Sequence, residues 1–116
     1  MFSIRLSAIK RFFNTLCDCK ERDLNVYMIG VLLICCEEFG ISEYDLRSKS
    51  RKQEIIDCRK AFCQVIKETL DIKNEVPAKL IGKPHGYVSR YLRTQPNNKH
   101  YIQTLEKIRK RVFAEL

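Results

Sequence analysis

The sequence predicts an all-α fold, a compact bundle of about six to seven helices, on three observations. Only four glycines and three prolines punctuate its 116 residues. Apolar residues recur three and four apart, the period of a helix with one buried face, rather than alternating as on a strand. At 45% hydrophobic and 31% charged, the chain has the composition of a folded domain, long enough to bury one core and too short for two ordinary domains.

In residues 7–20, Ile9, Phe12, Phe13 and Leu16 share a face with Lys10 and Arg11 beside it. This predicts an amphipathic helix that packs on the body or on a second subunit, since it lacks the broad basic face opposite large apolar anchors of a membrane-surface helix. Residues 23–39 are apolar nearly all round, from Leu24 through Cys36, which predicts a helix buried on most sides. Its apolar run, 26–36, spans 11 residues, about half of the roughly 20 needed to cross a bilayer. Arg5, Lys10 and Arg11 interrupt any signal-peptide apolar segment, so the expected location is cytoplasmic, with no membrane partner.

Gly40 is placed to end that helix in the left-handed conformation, and Ser42 with Asp45 three positions on predicts a capped short helix over 43–47. A loop follows in which Arg47, Lys49, Arg51 and Lys52 crowd into six residues. From 53 to 70, Ile55, Cys58, Phe62, Val65, Ile66 and Thr69 form one stripe while Asp57, Lys60, Gln64, Lys67 and Glu68 face away, a strongly amphipathic helix. A short helix over 74–81 tolerates Pro77 in its first turn. Gly82 breaks it, and Pro84 opens another helix, 84–94, that turns Val88 and Leu92 inward and ends before Pro96. The last helix, 98–113, buries Tyr101, Leu105, Ile108 and Val112. Its Lys107, Arg109, Lys110 and Arg111 complement the helix dipole at the C-terminal end, with DNA contact as a secondary use.

Six cysteines, Cys17, Cys19, Cys35, Cys36, Cys58 and Cys63, fall within these helical segments and are expected as free thiols. Only Cys17 and Cys19 approach zinc-ligand spacing, and no second pair accompanies them, so no metal site is expected.

The charge is unevenly divided. Lys and Arg number 22 against 14 Asp and Glu, a net of +8. Residues 1–46 hold five basic and seven acidic residues, net −2, and residues 47–116 hold 17 and seven, net +10. Such a one-sided excess favours a polyanionic partner, nucleic acid ahead of an anionic membrane. Within the basic part, the short helix, the turn Ile81-Gly82-Lys83 and the helix from Pro84 form a helix-turn-helix pattern, whose second helix places its first turn in the major groove. The expected recognition face, His85, Tyr87, Ser89 and Arg90 beside Lys83, is polar or amphipathic.

Residues 34–108 resemble the C-terminal duplex-DNA-binding domain (domain IV) of the bacterial replication initiator DnaA, a Trp-repressor-like helix-turn-helix fold. The segments that carry the resemblance are EEFGISEYDLRSKSR, IIDCRKAFCQVIKETL and EVPAKLIGKPHGYVSRYLR. They stand where that family has its aromatic entrance and basic loop, its Ala-Arg-Gln helix and its Gly-Arg-Asp-His-Thr-Thr signature. The resemblance implies that Arg59 reaches the minor groove, that Lys49 and Arg51 lie in a loop beside the DNA backbone, and that Lys83 and His85 match the Arg and His of the signature. Arg90 stands where the family often has a second histidine. Pro77, Pro84, Gly86 and Tyr87 depart from the family pattern, so the family's recognition sequence does not carry over.

The expected organisation is an N-terminal amphipathic helical extension, 1–25, followed by a DNA-binding domain, 26–116. The expected function is double-stranded DNA binding by Lys49, Arg51, Lys52, Arg59, Lys83, His85, Gly86, Tyr87, Ser89 and Arg90, in replication initiation, its regulation or transcription, in a nucleoid-associated bacterial or phage protein. No phosphate-loop pattern is present, so no nucleotide, cofactor or catalysis is expected. The rival expectation is an interaction module whose N-terminal helices pair with a second copy or dock on a replication protein.

Overall fold

A computed structural model describes residues 21–70 and 72–114; the helix expected over 7–20 lies outside the described residues. Within them are six helices and no strand: α1 (Glu21–Phe39), α2 (Glu43–Arg47), α3 (Gln53–Thr69), α4 (Glu75–Ile81), α5 (His85–Arg93) and α6 (Lys99–Ala114). The all-α expectation holds. α1 runs unbroken through positions 25 and 26, where the sequence suggested a boundary between extension and domain.

The central element is α3, which packs against each of the other five helices. Its predicted stripe, Ile55, Cys58, Phe62, Val65, Ile66 and Thr69, is buried together with Ala61 and Cys63. Burying a large apolar side chain stabilises by about 1.5–3 kcal/mol, so this helix organises the core. α1 contributes Met28, Val31, Leu32, Cys35 and Cys36 to it, and α6 contributes Tyr101, Leu105, Ile108 and Val112.

Burial of α1 leaves one side open. The helix is apolar all round, but α3 and α6 cover only part of it. Val26, Ile29 and Leu33, spaced three and four apart, are 63%, 37% and 43% exposed.

Helix ends follow the chemistry of the sequence. Gly40 has φ 68°; its N–H donates to Glu37 O (3.2 Å) and the Ile41 N–H to Cys36 O (2.9 Å), the paired closure of a Schellman turn. The Ser42 hydroxyl caps α2 by accepting from the Asp45 N–H (3.1 Å), and Leu46 inserts fully into the core. Pro77 is the third residue of α4, where a missing N–H costs no helical hydrogen bond. A second Schellman turn closes α4, with Lys83 N donating to Ala78 O (3.1 Å) and Gly82 N to Lys79 O (3.3 Å).

Gly82 is required twice over. Its φ is +66°, and an added Cβ would lie 3.3 Å from the carbonyl oxygen of Arg47. Gly82→Ala is expected to destabilise by about 1–2 kcal/mol, read as a lower urea midpoint at unchanged slope.

The Cys35, Cys36, Cys58 and Cys63 thiols are all free and buried. Burial pushes the Cys35 thiol up and the Cys63 thiol to about 12, so both stay protonated and unreactive. No helix among the described residues is long and apolar enough to cross a membrane.

Candidate nucleic-acid interface

The loop after α2, the outer side of α3 and the helix-turn-helix of α4 and α5 enclose a cavity of about 680 Å³. Its walls are Lys49, Ser50 and Arg51 from the loop, Ile56, Arg59 and Lys60 from α3, Gly82, Lys83 and Pro84 from the turn, and Tyr87, Arg90, Tyr91 and Thr94 from α5 and its end. Six of these thirteen residues are Lys or Arg and none is Asp or Glu, which gives the groove a positive electrostatic potential.

Local chemistry places each part. α5 begins at His85 with Pro84, φ −60° and ψ 151°, as its cap. It buries Val88 and Tyr91 and so turns Tyr87 and Arg90 toward the groove. The Tyr87 ring has two cations within cation–π range, with Lys83 Nζ 5.8 Å and Arg90 Cζ 5.2 Å from its centroid. Cation–π contact on a polar surface is worth about 0.5–1 kcal/mol and holds both side chains at the mouth. Lys60 Nζ donates to Thr94 O (2.8 Å) and Gln95 Nε2 to Lys60 O (3.2 Å), fastening the end of α5 to α3.

The electrostatics are one-sided. Among the described residues, every ion pair uses Arg47, Arg109 or Arg111; no groove cation has a carboxylate partner. Desolvation pulls the Lys83 pKa below its ordinary value, and the charges of Arg59, Arg51 and Lys49 pull it further down. Like charges this close raise the energy of the unliganded surface and are relieved by a bound anion.

The sequence-predicted residues divide into three groups. Lys49, Arg51, Lys83, Tyr87 and Arg90 line the groove together. Lys52, His85 and Gly86 are exposed beside it, Lys52 at the start of α3 and the other two in the first turn of α5. Ser89 and Arg59 have their polar atoms engaged within the protein. The Ser89 hydroxyl accepts from Asn74 Nδ2 (3.0 Å), tying α5 to the start of α4. Arg59 is only 2% exposed. Its Nε donates to Leu46 O (2.7 Å), Nη1 to Ser50 O (2.9 Å) and Nη2 to Ser48 O (2.6 Å). The expected minor-groove arginine is therefore turned inward in this structure, with its donors engaged by loop carbonyls.

No family model, characterised protein or solved structure matches the chain. Assignment of this groove rests on its geometry and chemistry.

Lys60, Tyr91 and Thr94 belong to the site without having been singled out. Lys60 was legible only as a solvent-facing cation of α3, and its position beside the end of α5 depends on tertiary packing. The basic C-terminal end of α6 is partly neutralised. Arg109 pairs with Glu68 (2.7 Å) and Glu106 (2.8 Å), and Arg111 with Glu37 (2.7 Å) and Glu38 (2.8 Å). These arginines bind α6 to α3 and α1, and the secondary DNA contact expected of them finds no support.

Proposed function

We propose that the chain binds duplex DNA, with α5 directed at the major groove and the Lys49–Arg51 loop at the flanking backbone. The observation that carries this is the composition of one groove: six Lys and Arg residues line it and no Asp or Glu does, whereas Arg47, Arg109 and Arg111 outside it pair with carboxylates. Lys49, Arg51, Lys60, Lys83 and Arg90 supply phosphate contacts and fix register, which needs only cations in the right places. His85, exposed in the first turn of α5, is the side chain placed to read a base edge, and Gly86 beside it leaves room for close approach. The resemblance to the initiator's DNA-binding domain agrees with this mode and suggests a role in replication initiation, its regulation or transcription.

Selection from a random duplex library, followed by titration of the winner over a salt series, tests the reading. Contact with about six phosphates gives a log–log slope near −5, and His85→Ala relaxes preference at one position at a cost of about 1–3 kcal/mol. No enrichment together with salt-insensitive binding would sink the duplex reading.

A second reading, the interaction module, draws on the exposed strip Val26, Ile29 and Leu33. Under it the chain pairs through α1 with a second copy or with a replication protein.

A further inference from the structure

We infer that Arg59 is a positioning residue for duplex binding: it holds the basic loop, and through it Lys49 and Arg51, in the form the groove requires, without touching the ligand. The inference rests on the duplex reading.

The loop between α2 and α3 has no regular structure and carries several cations, so repulsion favours its opening. Arg59 counters this from beneath. The carbonyls it holds are those of Ser48 and Ser50, at 2.6 and 2.9 Å, and that of Leu46 at 2.7 Å; the first two belong to the peptide planes immediately before Lys49 and immediately before Arg51. A peptide is planar, so fixing its carbonyl fixes the adjoining Cα atoms, and both side chains acquire a direction. A ladder of serines completes the turn: Ser48 Oγ donates to Asp45 O (2.6 Å), Ser50 N to Ser48 Oγ (3.2 Å) and Lys52 N to Ser50 Oγ (3.3 Å).

The chemistry is specific to arginine. Its planar fork presents five N–H donors in fixed directions, whereas a lysine presents three from one atom on a flexible stem. At 2% exposure and with no carboxylate at ion-pair distance among the described residues, the guanidinium is solvated by carbonyl dipoles. The clamp also reaches the second wall of the groove, because the last carbonyl of α2, Arg47 O, next to the Leu46 carbonyl that Arg59 holds, lies against Gly82. Arg59 thereby sets the spacing between the loop cations and Lys83.

The test uses the full chain. In wild type, the Arg59 Nε–H should exchange slowly with solvent and keep its resonance when a 20-base-pair duplex is added. Arg59→Lys should melt cooperatively, speed exchange of the Ser48–Lys52 amides and weaken duplex binding by about tenfold. The pair Lys49→Ala with Arg51→Ala should lower the wild-type salt slope by about 2. In the Arg59→Lys background the same pair should change affinity by less than about threefold, because contacts already lost cannot be lost again.

Strictly additive effects, or an Nε–H that exchanges fast or acquires contacts to minor-groove protons, overturn the positioning role. Unchanged loop exchange in Arg59→Lys overturns the clamp while duplex binding stands. A wild-type chain that binds no duplex overturns the duplex reading and the positioning role with it.

Discussion

Lys83→Glu is expected to weaken duplex binding by about 3 kcal/mol, on the order of a hundredfold, while leaving the fold as stable as before or slightly more so. The two signs differ because one side chain faces two environments. In the unliganded protein, Lys83 is desolvated and opposed by Arg59, Arg51 and Lys49, so a carboxylate at its place exchanges repulsion for attraction. In the complex, that carboxylate meets a phosphate. Fluorescence anisotropy with a labelled duplex and urea unfolding of the same samples read the two effects separately. Undiminished binding would place the phosphate away from the turn.

The same lysine gives a pH signature. Its folded pKa lies below the ordinary 10.5, so between the two values the unfolded chain holds more protons and stability rises with pH. A bound phosphate favours the charged form, so duplex binding takes up a proton and weakens as pH climbs into that alkaline window. Lys83→Arg, charged throughout, should flatten this dependence.

The fold was legible because its determinants are local. Ser42 and Asp45, Gly40, Gly82 and the Pro77 position each speak for one helix end, and the stripe from Ile55 to Thr69 speaks for one face. The turn residues Lys83 and Tyr87 could be placed for the same reason, since they follow directly from the helix start at Pro84. Arg59 could not. On its helix it sits between Cys58 and Lys60, and whether a cation there turns outward or under a loop depends on carbonyls nine to thirteen positions earlier. Charge also misled at α6, where Arg109 and Arg111 read as a basic surface. Their partners Glu68, Glu37 and Glu38 come from α3 and α1, more than forty residues away. For α1 an all-round apolar helix predicted burial on most sides, and only packing reveals which strip, Val26, Ile29 and Leu33, is left outside.

Phe62→Ala should be the most destabilising single truncation of the core, costing about 3–5 kcal/mol. Phe62 is fully buried in the middle of α3, the helix that touches all others, so the neighbours are pinned from several directions and cannot collapse into the cavity. Against a total stability of about 5–15 kcal/mol for a domain, that is a large share, and the thermal midpoint should fall by well over 10 °C. Phe62→Leu, which refills most of the volume, should cost under about 1.5 kcal/mol. Phe62 is not among the residues that line the groove, so affinity per folded molecule should be unchanged at temperatures where the Ala variant remains native. Duplex should then restore the variant by mass action: at one hundred times its Kd it adds about 2.7 kcal/mol, recovering much of the lost midpoint. The size of that recovery, measured as midpoint against duplex concentration, should match the wild-type affinity. A smaller recovery would mean that the core and the groove are energetically coupled through α3.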